Sequence, residues 1–406
     1  MTDSGEPQAT APEPGDEGAS FFRDLTGVGL DWRAAVLVPV LAVITALIAS
    51  MLVIALTDLD ALKMWGSDPG GALSATWASI WGAYKALFVG SMGSLRAVSE
   101  TLVQATPLIF AGLSVAIGFR AGLFNIGGQG QLLVGAMFSV WVGFSIHLPV
   151  YLHLPLAILA GAVGGAIWGA IPGLLRARTG AHEVITTIMM NFIALRLVDY
   201  YLKTSWFQAE GRDDPVSRAI DVSAHMPRLF GFLERSDVRV HIGILLAFAA
   251  AYGVYWLLFK TTLGYEFRAV GLNPHGARYA GMSVTWLIVG VMAVAGALAG
   301  LAGSDRVLGV LYRAQPGFAG TIGFDAIALA LLGRSHPWGV VAAGLLFGAL
   351  RAGGQQMQVS TDISLDLILV IQALVVVFIA APALIRAIYR VKTGREAERL
   401  TTGWST

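Results

Sequence analysis

The chain contains no cysteine among its 406 residues. That removes disulfides, thiolate metal sites and a cysteine nucleophile. Charge is also scarce: 13% of residues are Asp, Glu, Lys or Arg, against about 25% in an ordinary soluble domain. Net charge is +1, so no electrostatic case exists for nucleic acid. None of the five lysines follows a glycine, which excludes a P-loop, where a Gly-Lys pair must reach the β/γ-phosphates. No catalytic carboxylate pair or Ser-His-Asp set stands out, and the histidines are scattered, so the sequence suggests neither an enzyme nor a metal centre.

What is present is apolar: 56% of the residues are hydrophobic, gathered in runs of roughly twenty, the length that crosses ~30 Å of hydrocarbon. The expected fold is an all-α polytopic membrane protein. About ten spans are predicted, near residues 34–56, 101–119, 127–147, 152–175, 184–202, 242–259, 284–303, 323–333, 338–352 and 365–385. The eighth is half the usual length and reads as a half-helix. Residues 1–30 are acidic and rich in Pro, Gly and Ala, and read as a disordered tail, and 391–406 as a second tail. Residues 31–390 form the transmembrane domain.

Short-loop Lys and Arg favour the cytoplasm. Arg120, Arg176, Arg178, Lys260, Arg268, Arg278 and Arg334, with the basic C-terminal tail, place both termini there. Residues 203–241 then form an external loop. In 57–99, Trp77, Ile80, Trp81, Tyr84 and Phe88 fall near helical spacing, which suggests a helix lying on the membrane surface.

The most informative stretch is 100–131. An apolar span stops at Phe119 and a second begins at Leu132, with a glycine- and amide-rich break between them (RAGLFNIGGQGQ, 120–131). Lipid offers no hydrogen bonds, so such a break needs protein or a watery cavity around it, and broken spans point to a transport pathway. Asn125-Ile-Gly precedes the third span and Thr321-Ile-Gly the eighth. Spans two to five and seven to ten run in opposite senses, as an inverted repeat would.

Polar residues inside spans are costly and often functional. Asn125, Gln129 and Gln131 could bond a passing polar solute, or satisfy backbone freed by the break. Glu183 and Asn191, two turns apart, could line the pathway or bond a neighbouring helix. Asp325 suits the positive start of the half-helix as a cap, with substrate contact as the alternative. Arg196 and Asp199, spaced i,i+3, can pair with each other.

The loop 260–283 (KTTLGYEFRAVGLNPHGARYAGMS) contains a helix start, Asn273 as cap and Pro274 at the first turn. The helix should run to about Ala280 and stop at Gly281. Small residues at Gly276, Ala277 and Ala280 would let another surface approach.

This loop resembles the cytoplasmic coupling segment of ABC importer permeases for simple sugars, branched-chain amino acids and nucleosides. The stretches 120–131, HEVITTIMMN (182–191), GFDAIALALLG (323–333) and HPWG (336–339) carry the same resemblance, which covers about 86–386 and looks most like the nucleoside (guanosine) branch. Two departures stand out: Gly128-Gln129 in place of a small-acidic pair, and Arg334 in place of a second glycine. The resemblance implies a permease subunit in a bacterial plasma membrane that translocates a small polar solute. It implies a dimer with a second related permease chain, a cytoplasmic ATPase and an extracellular substrate-binding lipoprotein. Arg268, Gly271, Asn273, Pro274, Ala277, Arg278 and Gly281 would couple to that ATPase. ATP and Mg would bind there, leaving this chain without a cofactor. The alternatives are a sugar or branched-chain amino acid permease, or an ion-coupled secondary transporter using an intramembrane acid.

Overall fold

The structure is a computed structural model, and it describes residues 32–231, 237–361 and 365–389. The two predicted tails, 1–30 and 391–406, lie outside these. Helices α1 (Trp32–Thr57), α2 (Leu59–Met64) and α3 (Pro69–Met92) come first. They are followed by α4 (Leu95–Arg120), α5 (Gly128–Ser145), α6 (Val150–Thr179) and α7 (Glu183–Tyr201). Beyond an irregular segment come α8 (Gly243–Lys260), α9 (Thr262–Leu272), α10 (Pro274–Tyr279) and α11 (Val284–Asp305). The chain closes with α12 (Ile322–Leu332), α13 (Pro337–Thr361), α14 (Leu365–Ala380) and α15 (Pro382–Tyr389). Among the described residues, pairing of extended backbone is confined to two isolated bridges, Gln208 with Ser217 and Arg228 with His241.

Six of these helices are long and apolar enough to cross a membrane, fewer than the ten predicted spans. The third span, α5, begins with Gln129 and Gln131, and the ninth, α13, carries Arg351, Gln355 and Gln356, which dilute their apolarity. The eighth, α12, has 11 residues, roughly 16 Å, about half the hydrocarbon thickness. It is the half-helix expected from its sequence. The tenth is divided into α14 and α15 at Ala381-Pro382.

Glycine organises the packing. Helices in lipid gain no hydrophobic drive from meeting each other, so they associate where small residues let backbones close up. Gly161, Gly165 and Gly169 of α6 lie against Gly300 and Gly296 of α11, leaving no space for a Cβ. Gly344 and Gly348 of α13 meet Ile109 and Ala105 of α4 in the same way. The two contacts belong to one scheme. α4 and α11 pack together at the centre; α6 covers α11 as α13 covers α4; α5 flanks α11 as α12 flanks α4; and α7 touches α5 as α14 touches α12. Exchanging spans two to five with seven to ten preserves the arrangement, as an inverted repeat requires.

The predicted surface helix is different in the structure. α3 starts at an Asp68 cap with Pro69 at its first turn and runs lengthwise along α13. Gly82 lies by Thr361 and Gly90 by Gln356. Ile80, Ala83 and Ala86 bury against Ile54, Met357 and Ile368. Its tryptophans Trp77 and Trp81 remain outward, so the aromatic spacing marks an outer face rather than a helix separate from the bundle. Within the loop expected at 203–241, Phe207, Ile220, Ala224 and Met226 are buried in the main hydrophobic core.

Candidate functional site

α4 ends where Gly122 turns left-handed at φ 65° and the Leu123 amide reaches back to the Gly118 carbonyl at 2.9 Å. This terminal turn satisfies the last carbonyls of the helix. The chain then re-enters the bundle, and α5 begins at Gly128. The first turn of a helix leaves amides without intrahelical partners, and lipid would leave them unpaired. The amides of this break solve that problem. Asn191 Oδ1 accepts the Gly130 N–H at 2.8 Å, and its Nδ2 donates to the Ile126 carbonyl at 2.9 Å. Asn125 and Gln131 exchange two amide bonds at 3.0 and 3.1 Å, and Asn125 Oδ1 also accepts from the Gly127 N–H at 3.0 Å.

Gln129 links the two breaks. Its Nε2 donates to the Gly320 carbonyl and its Oε1 accepts the Gly323 N–H, both at 2.8 Å. The starts of α5 and α12 therefore meet, tied by one side chain. Asn125, Gln131, Asn191 and Gln129 are all buried. The structure thus brings together four predicted residues and spends their amides on backbone and on one another. Charge-free bonds of this kind are strengthened by the low local dielectric, and an unpaired member would be correspondingly costly.

Two predicted residues lie elsewhere. Glu183 pairs with Arg176 at the end of α6 rather than joining Asn191. Eight residues turn a helix through roughly 80° beyond two full turns, enough to aim the two side chains at different neighbours. Asp325, in the first turn of α12, pairs with Arg351 of α13 and accepts the Thr321 hydroxyl at 3.0 Å. Arg351 was not singled out from the sequence, although an arginine inside an apolar run was its available signal. Arg196 and Asp199 do pair, at 3.5 Å and largely exposed.

The predicted helix of the 260–283 loop is α10. Asn273 Oδ1 accepts the Gly276 N–H at 2.9 Å, Pro274 occupies the first turn, and Gly281 turns left-handed at φ 83°. Pro274, His275, Arg278 and Tyr279 face outward, Tyr279 at 96% exposure. Ala277, expected to admit another surface, turns inward at 5% exposure, because it is the residue that seats α10 on the bundle. Arg268 also turns inward, its guanidinium 5.2 Å from the Phe259 ring. Gly271 touches the α4–α5 break directly: a Cβ on Gly122 would fall 2.8 Å from the Gly271 carbonyl oxygen.

At the same end, Arg120 donates to the carbonyls of Ser335 and Arg334 at 3.0 and 3.3 Å and lies over Phe259. It clamps the turn between α12 and α13. His336 stacks on the same Phe259 ring, and burial, with the neighbouring Arg120, holds it below its ordinary range. Among the described residues, no group of three His, Asp or Glu could hold a metal ion.

A long bundle with two broken spans whose starts meet inside it defines the class: a polytopic transport protein. The chain belongs to the family described as branched-chain amino acid transport system / permease component, which matches residues 97–380. It is 42% identical to a guanosine ABC transporter permease protein of Bacillus subtilis, over 76% of this chain and 88% of that protein. It is 38% identical to a glucose ABC transporter permease protein of Haloferax volcanii, over 79% and 87%. A nucleoside ABC transporter permease protein of Lactococcus lactis is 37% identical, over 75% and 85%. No solved structure matches the chain. The protein is an ABC transporter permease, a multi-pass membrane transport subunit.

Proposed function

We propose that this permease imports a nucleoside through the bilayer, driven by a separate cytoplasmic ATPase that docks on α10. The observation that carries the coupling is the contact of Gly271 with Gly122. A push on the α9–α10 pair reaches the α4–α5 break through backbone, with no flexible side chain between them. Asn273, Pro274 and Arg278, with Gly281 beyond them, form the docking surface; Arg268, Gly271 and Ala277 hold that surface to the bundle. ATP and Mg bind the partner, and a related second permease and an external receptor complete the importer. In this arrangement both termini are cytoplasmic, and Asn125, Gln129, Gln131, Asn191 and Asp325 border the pathway.

The nucleoside reading is supported by the guanosine and nucleoside relatives. The glucose relative favours a second reading, a sugar. Both solutes are neutral and hydroxyl-rich. Arg278→Glu and Gly281→Trp should abolish uptake by the complete transporter while its receptor still binds solute; normal uptake in both would end the coupling assignment. Uptake of labelled guanosine that glucose does not compete selects the nucleoside, and the reverse result selects the sugar.

A further inference from the structure

α13 carries a polar stripe that the amide network does not use. Arg351, Gln355 and Gln358 are spaced i, i+4, i+7 and lie on one face, and the two glutamines are exposed. The opposite face, with Gly353, Gly354 and Met357, is buried. The stripe descends roughly 10 Å along the helix and ends at the start of α12, where Arg351 bonds both Asp325 and Thr321.

Three features argue that this face meets water. A charged pair in a span is expensive against lipid, yet Arg351 and Asp325 keep 19% and 22% of their side chains open. The irregular backbone leading into α12 is also open at Gln315, Gly317 and Gly320, and lipid does not tolerate irregular backbone. Gln355 and Gln358, exposed on successive turns just past the predicted span 338–352, carry the same polar face on to the outer end of α13.

We propose that this stripe is the outer half of the solute route, running from Gln358 past Gln355 and Arg351 to the Thr321–Asp325 start of α12. The assignment rests on the importer reading above. Its chemistry selects a neutral, hydroxyl-rich solute. The glutamine amides both donate and accept. The carboxylate of Asp325 is already neutralised by Arg351, and both of its bonds fall on Oδ2. Oδ1 is left to accept a sugar hydroxyl, with little attraction for a free cation.

The absence of cysteine makes the test clean. Gln355→Cys, Gln358→Cys and, as a control on the exposed outer face of α1, Leu52→Cys would be made in the complete transporter in membranes. Each would be treated from outside with a charged methanethiosulfonate. Thiols react as thiolates, which form in water, so the two stripe positions should react about tenfold or more faster than Leu52→Cys. Their modification should block uptake, and unlabelled guanosine should slow it. No reaction at either position, reaction without loss of uptake, or oxidative cross-linking of both positions to a neighbouring chain would each overturn the route. If the unmodified transporter takes up glucose and not guanosine, the nucleoside reading falls, and the same labelling with glucose still judges the stripe. If neither is taken up, the import reading falls, and the relative reactivity of the three thiols alone decides whether the stripe is wet.

Discussion

At the residue scale, Arg334 shows how one side chain sits against its backbone. It lies at φ 52°, followed by Ser335 at 51°, a left-handed pair that disfavours residues with a Cβ. Arg120 holds the two carbonyls of this turn, while the Arg334 side chain points outward. Arg334→Gly should therefore raise stability by about 0.5–1 kcal/mol, read by thermal unfolding in detergent. Gln129 presents the opposite case, because its amide is spent inside the protein. Gln129→Leu keeps the bulk but strands the Gly320 carbonyl and the Gly323 N–H, at about 1–3 kcal/mol for each buried group. Unfolding temperature and uptake should fall together. The sequence pointed to Gln129 through its place in a glycine-rich break, but its partners lie about 190 residues away, beyond any local pattern.

At the scale of elements, α10 was legible because its signals are local. A cap, a proline and a left-handed glycine specify a short helix within nine residues. Asn273→Ala removes the cap bond and should cost about 1 kcal/mol, with uptake lowered more than assembly of the complex. α3 was misread for the converse reason. Aromatic spacing reports which face is outward, while the small residues that seat the other face on α13 carry no directional signal. The α6–α11 contact depends on glycine in the same hidden way. A Cβ at Gly165 would press into the Gly296 carbonyl, and the two helices would have to separate. Gly165→Leu should destabilise by about 3 kcal/mol or more, seen as loss of folded protein in detergent, whereas Gly253→Leu, in open space on α8, should not.

At the scale of the whole molecule, the ends of distant helices create environments that none has alone. His241, just before α8, is buried 3.7 Å from Asp305 at the end of α11. Burial, and then the positive Arg239, lower it from 6.5 to about 4. A lowered histidine stays neutral when folded and takes up a proton when unfolded. Its contribution is therefore complete above pH 6.5 and is lost as pH falls toward 4, by up to about 3 kcal/mol. On going from pH 7 to pH 5, the unfolding temperature of His241→Gln in detergent should therefore fall less than that of the unaltered chain.

The division of labour between chain and fold follows from range. Apolar run length, the amide-rich break, the half-length eighth span and the capped α10 are written in neighbouring residues, because helix length, capping and membrane crossing are local physics. The meeting of the α5 and α12 starts through Gln129, the parting of Glu183 from Asn191, the pairing of Asp325 with Arg351 and the inward turn of Ala277 depend on which helices touch. Those contacts are made by glycines whose identity says that something comes close but not what, so only the packed bundle could decide them.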